Sequence, residues 1–301
     1  MNTIVGIGAC VMDTLYNIPA FPQEDTKLRA FDSKQAGGGP TATGLVAAQK
    51  LGEQTAFIGV LAEDSGGVFL KKDFEKYGVD TALIDVCPNR RSFSSAILLC
   101  ADTRTCVFDK GDLPPLTLNR KQKEAIIAAK LLMVDGNEMD AALEAARLAR
   151  ENGTKVLYDC GGLYENVDRL LRLTDIMIPS EEFALGHTGC DTAEAAAKKL
   201  FDTYHPALVA VTQGKRGGIL YDGESLVRYP AFSVTAVDTN GSGDVFHGAF
   251  AAAVVKGYEP LDCCLFASAA AALKCTGVGA RESVPDIDTV KNFLRENGYE
   301  L

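Results

Sequence analysis

Residues 237–250 read VDTNGSGDVFHGAF and place two carboxylates, Asp238 and Asp244, around the small residues Gly241, Ser242 and Gly243, just ahead of an alanine-rich run. Glycine inside a helix costs about 1 kcal/mol relative to alanine, so small residues clustered where a helix begins need a reason. A tight strand-to-helix turn is one reason. Chemistry offers another. The first N–H groups of a helix are unpaired and carry roughly half a positive charge. Gly241, Ser242 and Gly243 would leave those amides open to the anion that develops on a transferred phosphoryl group. Asp244, at the mouth of the same helix, is then placed to take a proton from an attacking hydroxyl, a contribution of about 10²–10⁴-fold.

Three further stretches could join it. Asp13 lies just past the first apolar run, where one carboxylate can accept hydrogen bonds from two neighbouring hydroxyls, as a sugar or ribose presents; a turn or cap aspartate is the plain alternative. AGGGPTATG at 36–44 sets three glycines, Gly38 and Gly39 among them, before Pro40. Such a loop lets a ligand approach the backbone, and proline suits a first helical turn. VTQGKRGG at 211–218 permits a turn at Gly214 and Gly217 whose amides can face phosphate, with Lys215 adding charge; hairpin turns carry the same glycines. GIGACV at 6–11 has Val11 where a dinucleotide fingerprint needs its third small residue, and GxxxxGK[ST] does not occur.

These residues need elements to hold them. Short apolar runs (TIVGIGA, TAFIGV, LLMVDG, KVLYDC, DIMIPS, ALVAVTQG) alternate with helical patterns such as TATGLVAAQKLG and GGVFLKKDFEKYG. That rhythm predicts an α/β, doubly wound chain with a mostly parallel central sheet covered by helices on both faces. Residues 11–35 and 90–110 break it, alternating polar and apolar with no helix between, and suit a small antiparallel sheet that projects as a lid or a dimer face. No linker or repeat divides residues 1–301, which read as a single domain with an inserted lid.

Composition narrows the partners. A net charge of −10 argues against a nucleic-acid backbone as ligand. No apolar run reaches the roughly 18–20 residues of a membrane span, and MNTIVGIGACVMD lacks the basic start of a signal peptide. The 9 cysteines include no CxxC pair and read as reduced residues of a cytoplasmic protein. His187, His205 and His247 lie far apart, which disfavours a histidine-based zinc site.

VDTNGSGDVFHGAF resembles the D-T-x-G-[AS]-G-D-x-F signature of the ribokinase-like (PfkB) carbohydrate kinases, and the likeness spans the chain through Asp13, GGGP, VTQGKRGG and FASAAAALKCTGVGARESVP. GGGPTAT, FHGAF and AALKCT are similar to the branch of sulfofructose and other ketose kinases. The resemblance implies an ATP-dependent sugar kinase with Asp244 as base and the amides of Gly241, Ser242 and Gly243 as anion hole. It implies that Asp13, Gly38, Gly39 and Thr43 hold the sugar, joined by Lys27, Asp109 and Asn137. Ser180, Thr212, Gly214, Gly217 and Ser268 would lie along the nucleotide, with Mg²⁺ bridging its phosphates. Oxygens at Asp238, Asn240, Lys274, Gly279 and Ser283 would hold a monovalent cation such as K⁺. Three positions depart from the pattern: Thr43 replaces an asparagine, N-x-x-E falls on Ser180 to Phe183 with Glu181 or Glu182 as substitutes, and Lys27 has no second basic partner for a sulfonate. An uncovered sheet edge or apolar lid face tends to be covered by a partner, so a homodimer through the lid is expected. A nucleoside kinase of the same fold and a non-catalytic sugar- or nucleotide-binding regulator are the rival readings.

Overall fold

Among the described residues, 9 strands with nearly unbroken apolar side chains build the central sheet. The computed structural model describes residues 2–100 and 103–301. In chain order its strands are β1 Ile4–Ile7, β2 Val11–Asn17, β3 Asp32–Gly38, β4 Thr55–Ala62, β5 Ile84–Cys87, β6 Ser94–Cys100, β7 Thr103–Asp109, β8 Leu131–Val134, β9 Lys155–Cys160, β10 Ile176–Pro179, β11 Leu208–Thr212, β12 Gly218–Tyr221 and β13 Leu226–Tyr229. The large sheet is ordered β13-β12-β11-β10-β9-β8-β1-β4-β5. It is parallel from β11 to β5, and the β12–β13 hairpin adds an antiparallel edge.

Alternate residues of each strand face opposite sides, and both sides are apolar. Ile4, Phe57, Leu131 and Met133 join one core with helices Pro40–Lys50, Ser242–Lys256 and Pro260–Lys274. Val5, Ile7, Leu132 and Val134 join the other with Met139–Glu151 and Ala193–Tyr204. The fold is the doubly wound α/β architecture that the alternation of apolar runs and helices predicts.

A second, smaller sheet, ordered β3-β2-β6-β7, stands apart from the first. It is built from the two stretches that break the α/β rhythm, but it is not antiparallel throughout. β2–β3 and β6–β7 are antiparallel hairpins, whereas β2 and β6 run parallel. Topology requires this. Both outgoing strands start at the base of the sheet, with Met12 beside Ser94, and each is returned by its own hairpin partner on the outside.

Candidate active site

The order of the large sheet reverses at β1, which pairs with β4 on one side and β8 on the other. The crevice outside such a switch point is where doubly wound sheets receive ligands. Asp135, which follows β8, staples that crevice and is 2% exposed. Its Oδ2 accepts from the Ala9 and Thr41 amides at 3.0 and 3.1 Å, and its Oδ1 from Asn137 N at 3.0 Å.

Helix Ser242–Lys256 brings the signature residues to this crevice. Gly241 is its N-cap at φ 75°, in the left-handed region that favours glycine. Among the described residues the Gly241 and Gly243 amides carry no hydrogen bond, whereas Ser242 N donates to Thr239 O at 3.3 Å. The expected three-amide anion hole is thus two free amides and one tied into the turn. A Cβ added at Gly243 would meet nothing within 4 Å, so the helix mouth opens onto free space. Asp244 lies on the first turn. Burial pushes its carboxyl above the ordinary range, with Asp135 and Asp13 adding and His247 and Arg281 opposing.

One turn on, His247 Nδ1 lies 2.7 Å from Gly243 O and 3.2 Å from Asp159 Oδ2, and its Nε2 lies 3.0 Å from Ile178 O. The ring therefore pins the Gly241–Asp244 turn to β9 and β10. Burial pushes the Asp159 carboxyl up to about 7, against the pull of His247.

Of the residues expected to hold a sugar, the structure gathers some and disperses others. Asp13 accepts from Ser95 Oγ at 2.5 Å, and a Cβ at Gly38 would collide with its carboxylate. Burial raises the Asp13 carboxyl, opposed by the Ser95 hydrogen bond and Arg281. Gly39, at φ 100°, packs against Ala9 O with no room for a side chain. Asn137 Nδ2 donates to Asp135 Oδ1 and Tyr164 OH at 3.1 and 3.2 Å. Thr43 is fully buried and accepts from Arg281 Nε at 3.4 Å, so its hydroxyl supports the glycine loop and is closed to ligand. Asp109 is also a correction. It sits opposite Ser94 while Asp13 sits opposite Ser95, so the two carboxylates leave opposite faces of the small sheet. Its carboxyl, bonded to Gly111 N and to Arg91 Nη1 at 2.7 Å, is held below the usual range by those partners. Lys27 lies exposed in the segment between β2 and β3.

Of the residues expected along a nucleotide, Ser180 and Thr212 are bridged at the ends of β10 and β11. Ser180 Oγ caps the following helix by accepting from Phe183 N at 3.1 Å. Gly214 and Gly217 take φ 56° and 82° in the adjoining turn. Ser268 is 8% exposed and donates to Pro230 O at 2.8 Å, which leaves that hydroxyl committed to the fold. Phe183, at the position of the expected acid, is a core residue stacked on His187. Of the two substitutes, Glu181 turns toward the loop, bonded to Gln213 Nε2 at 2.7 Å and to Arg216, while Glu182 is exposed.

The oxygens expected to hold a monovalent cation are already engaged. Lys274 Nζ donates to Asp238 O at 2.6 Å, Asp238 Oδ1 and Oδ2 accept from the Asn240 and Gly279 amides at 2.8 Å each, and Ser283 Oγ donates to Gly279 O at 2.5 Å. A K⁺ ion sharing Asp238 O would lie about 4 Å from the ammonium, a repulsion of roughly 4 kcal/mol at an effective dielectric constant of 20. The donor set does not fit that ion.

Residue-level reading missed four groups: Asp135, Asp159, Ser95 and Arg281. Arg281 is 1% exposed. It pairs with Asp73 Oδ2 at 2.6 Å and donates to Gly38 O at 2.8 Å, which holds the glycine loop in place. For Asp135 and Asp159 a signal was present, since LLMVDG and KVLYDC each set an aspartate at the end of an apolar run.

The pfkB family carbohydrate kinase model matches residues 1–287. A ribokinase from Haemophilus influenzae is 30% identical over 97% of this chain and 98% of that protein. A 5-dehydro-2-deoxygluconokinase from Clostridium perfringens is 28% identical over 99% of this chain and 94% of that protein. A ribokinase from Arabidopsis thaliana, solved in complex with ribose and ATP, superposes with a TM-score of 0.88 at 26% identity, covering 98% of this chain and 99% of that one. With the signature, the switch-point crevice and the small second sheet in place, the chain belongs to the pfkB family of carbohydrate kinases.

Proposed function

We propose that the chain transfers the γ-phosphoryl group of Mg·ATP to a primary hydroxyl of a small sugar, a ketose or a related sugar. One observation carries the reading: a half-buried Asp244, its carboxyl raised above the ordinary range, on the helix turn that holds the free Gly241 and Gly243 amides, within electrostatic reach of Asp13. Asp13 and Asn137 hold neighbouring hydroxyls of the acceptor. Asp244 takes the proton of the attacking hydroxyl while the hydroxyl oxygen bonds to the γ-phosphorus and the bond from that phosphorus to the ADP oxygen breaks. The Gly241 and Gly243 amides stabilise the charge that collects on the transferred group. Glu181, now bonded to Gln213 and Arg216, is the acid that would help hold Mg²⁺, which would supply neutralisation of phosphate charge. Thr212, Gly214 and Gly217 line the nucleotide.

The relatives named ribokinase and 5-dehydro-2-deoxygluconokinase support a small polyhydroxylated acceptor. The ketose preference rests on the GGGPTAT, FHGAF and AALKCT phrasing. One feature favours a nucleoside instead. Phe108, 61% exposed, lies opposite Ser95 on the face that carries Asp13, where a base would find a stacking wall. Release of ADP, measured as kcat/KM across fructose-type sugars, ribose, 2-keto-3-deoxy acids and adenosine, decides between them. A ketose preference is expected, and preference for adenosine would overturn it. The exposed apolar lid is the face through which we infer a homodimer.

A further inference from the structure

Lys274 ends helix Pro260–Lys274 with its side chain 0% exposed. A buried ammonium needs compensation, and Nζ finds it at Asp238, with the main-chain oxygen at 2.6 Å and Oδ2 at 3.9 Å. Asp238 is also where two loops are laced together. Val237 N and Asp238 N donate to Cys275 O at 2.7 and 3.1 Å, and the Asp238 carboxylate receives the Asn240 and Gly279 amides. Two residues after Asn240 the catalytic helix begins. The ammonium therefore stands on the oxygen expected to bind a monovalent cation, behind the turn that presents the Gly241 and Gly243 amides.

We propose that the Lys274 ammonium is a tethered replacement for the monovalent cation, which orders the loop ahead of the catalytic helix so that the protein has no need of K⁺. Lys274 acts through Asp238 and is a positioning residue. The effect on turnover rests on the kinase reading above; the effect on stability does not.

The test compares full-length wild type with Lys274→Ala and Lys274→Met in KCl, LiCl and choline chloride at matched ionic strength. Melting temperature and ADP release with the acceptor panel are measured in each. Wild type is expected to melt and turn over alike in all three salts. Lys274→Ala is expected to lose at least roughly tenfold in kcat in choline chloride. KCl, but not LiCl, should return activity and raise the melting temperature of that variant, a size-selective rescue that a merely structural lysine would not show. Lys274→Met fills the space without charge and should respond to KCl less than Lys274→Ala. Wild type activated or stabilised by KCl over choline chloride would overturn the proposal. So would a folded Lys274→Ala that KCl neither stabilises nor reactivates, or failure of both variants to fold in every salt. If wild type releases no ADP with any acceptor, the kinase reading fails and the melting comparison alone decides the proposal.

Discussion

Asp244 must be ionised to act as a base, and its surroundings make ionisation harder. Burial and the charges of Asp135 and Asp13 raise its carboxyl, with His247 and Arg281 pulling the other way. A base with a raised pKa is protonated, and inactive, at a higher pH than a free aspartate, whose pKa is about 3.9. The acidic limb of the kcat/KM profile is therefore expected above that value. Asp244→Asn should lower kcat by roughly 10²–10⁴-fold and remove the limb, while sugar affinity changes little. A pH–rate profile of both proteins checks this, and near-wild-type turnover in Asp244→Asn would sink the mechanism. Gly241 and Asp244 are legible from residue type alone, because a left-handed N-cap and a first-turn acid are local requirements. Arg281 is not, because its partners Asp73 and Gly38 lie more than 200 positions away in the chain (238 to 243 for its contacts with Gly38 and Thr43, 208 for Asp73).

Helix Ser242–Lys256 carries two glycines with opposite duties. Gly243 faces open space, whereas a Cβ at Gly248 would strike the main chain of Gly44 in helix Pro40–Lys50. The two helices cross backbone to backbone there, which places helix Ser242–Lys256 against the one that follows the glycine loop. Gly248→Val should therefore destabilise by at least about 1–3 kcal/mol, the range for overpacking. Gly243→Val should fold close to wild type but lose turnover, since its side chain would stand where the phosphoryl group must approach. Urea unfolding and kcat of the two variants separate these roles. If Gly243→Val unfolds as readily as Gly248→Val, the glycine at the helix mouth serves packing and not chemistry.

Across the whole molecule, Val107 on β7 is 65% exposed and Phe31, just ahead of β3, is 77% exposed. Exposed apolar groups gathered on one projecting sheet mark a contact surface, and a second copy of the chain is the commonest occupant. Sedimentation at micromolar concentration should show a dimer, and Phe31→Asp combined with Val107→Asp should shift it toward monomer with the main sheet still folded by circular dichroism. A wild-type monomer would count against the pairing. The small sheet is also tied to the loop that follows helix Pro260–Lys274, through Lys34 and Glu282 at 2.7 Å.

The doubly wound sheet and the GSGD helix mouth were determined by sequence alone, because hydrophobic periodicity and helix-start chemistry act over a few residues. So was the presence of a separate sheet from 11–35 and 90–110, although its mixed direction was not, since strand direction depends on which hairpins become neighbours. Only tertiary structure decided the rest. Asp109 and Asp13 look equivalent as acids in a lid, yet one residue of register turns Asp109 to the far face and into the hold of Arg91. Lys274 enters the sequence reading for its oxygen in the expected cation set, yet folding carries its ammonium to Asp238 O, 36 positions back along the chain. A side chain's role there depends on what long-range packing brings against it, and no local pattern records that.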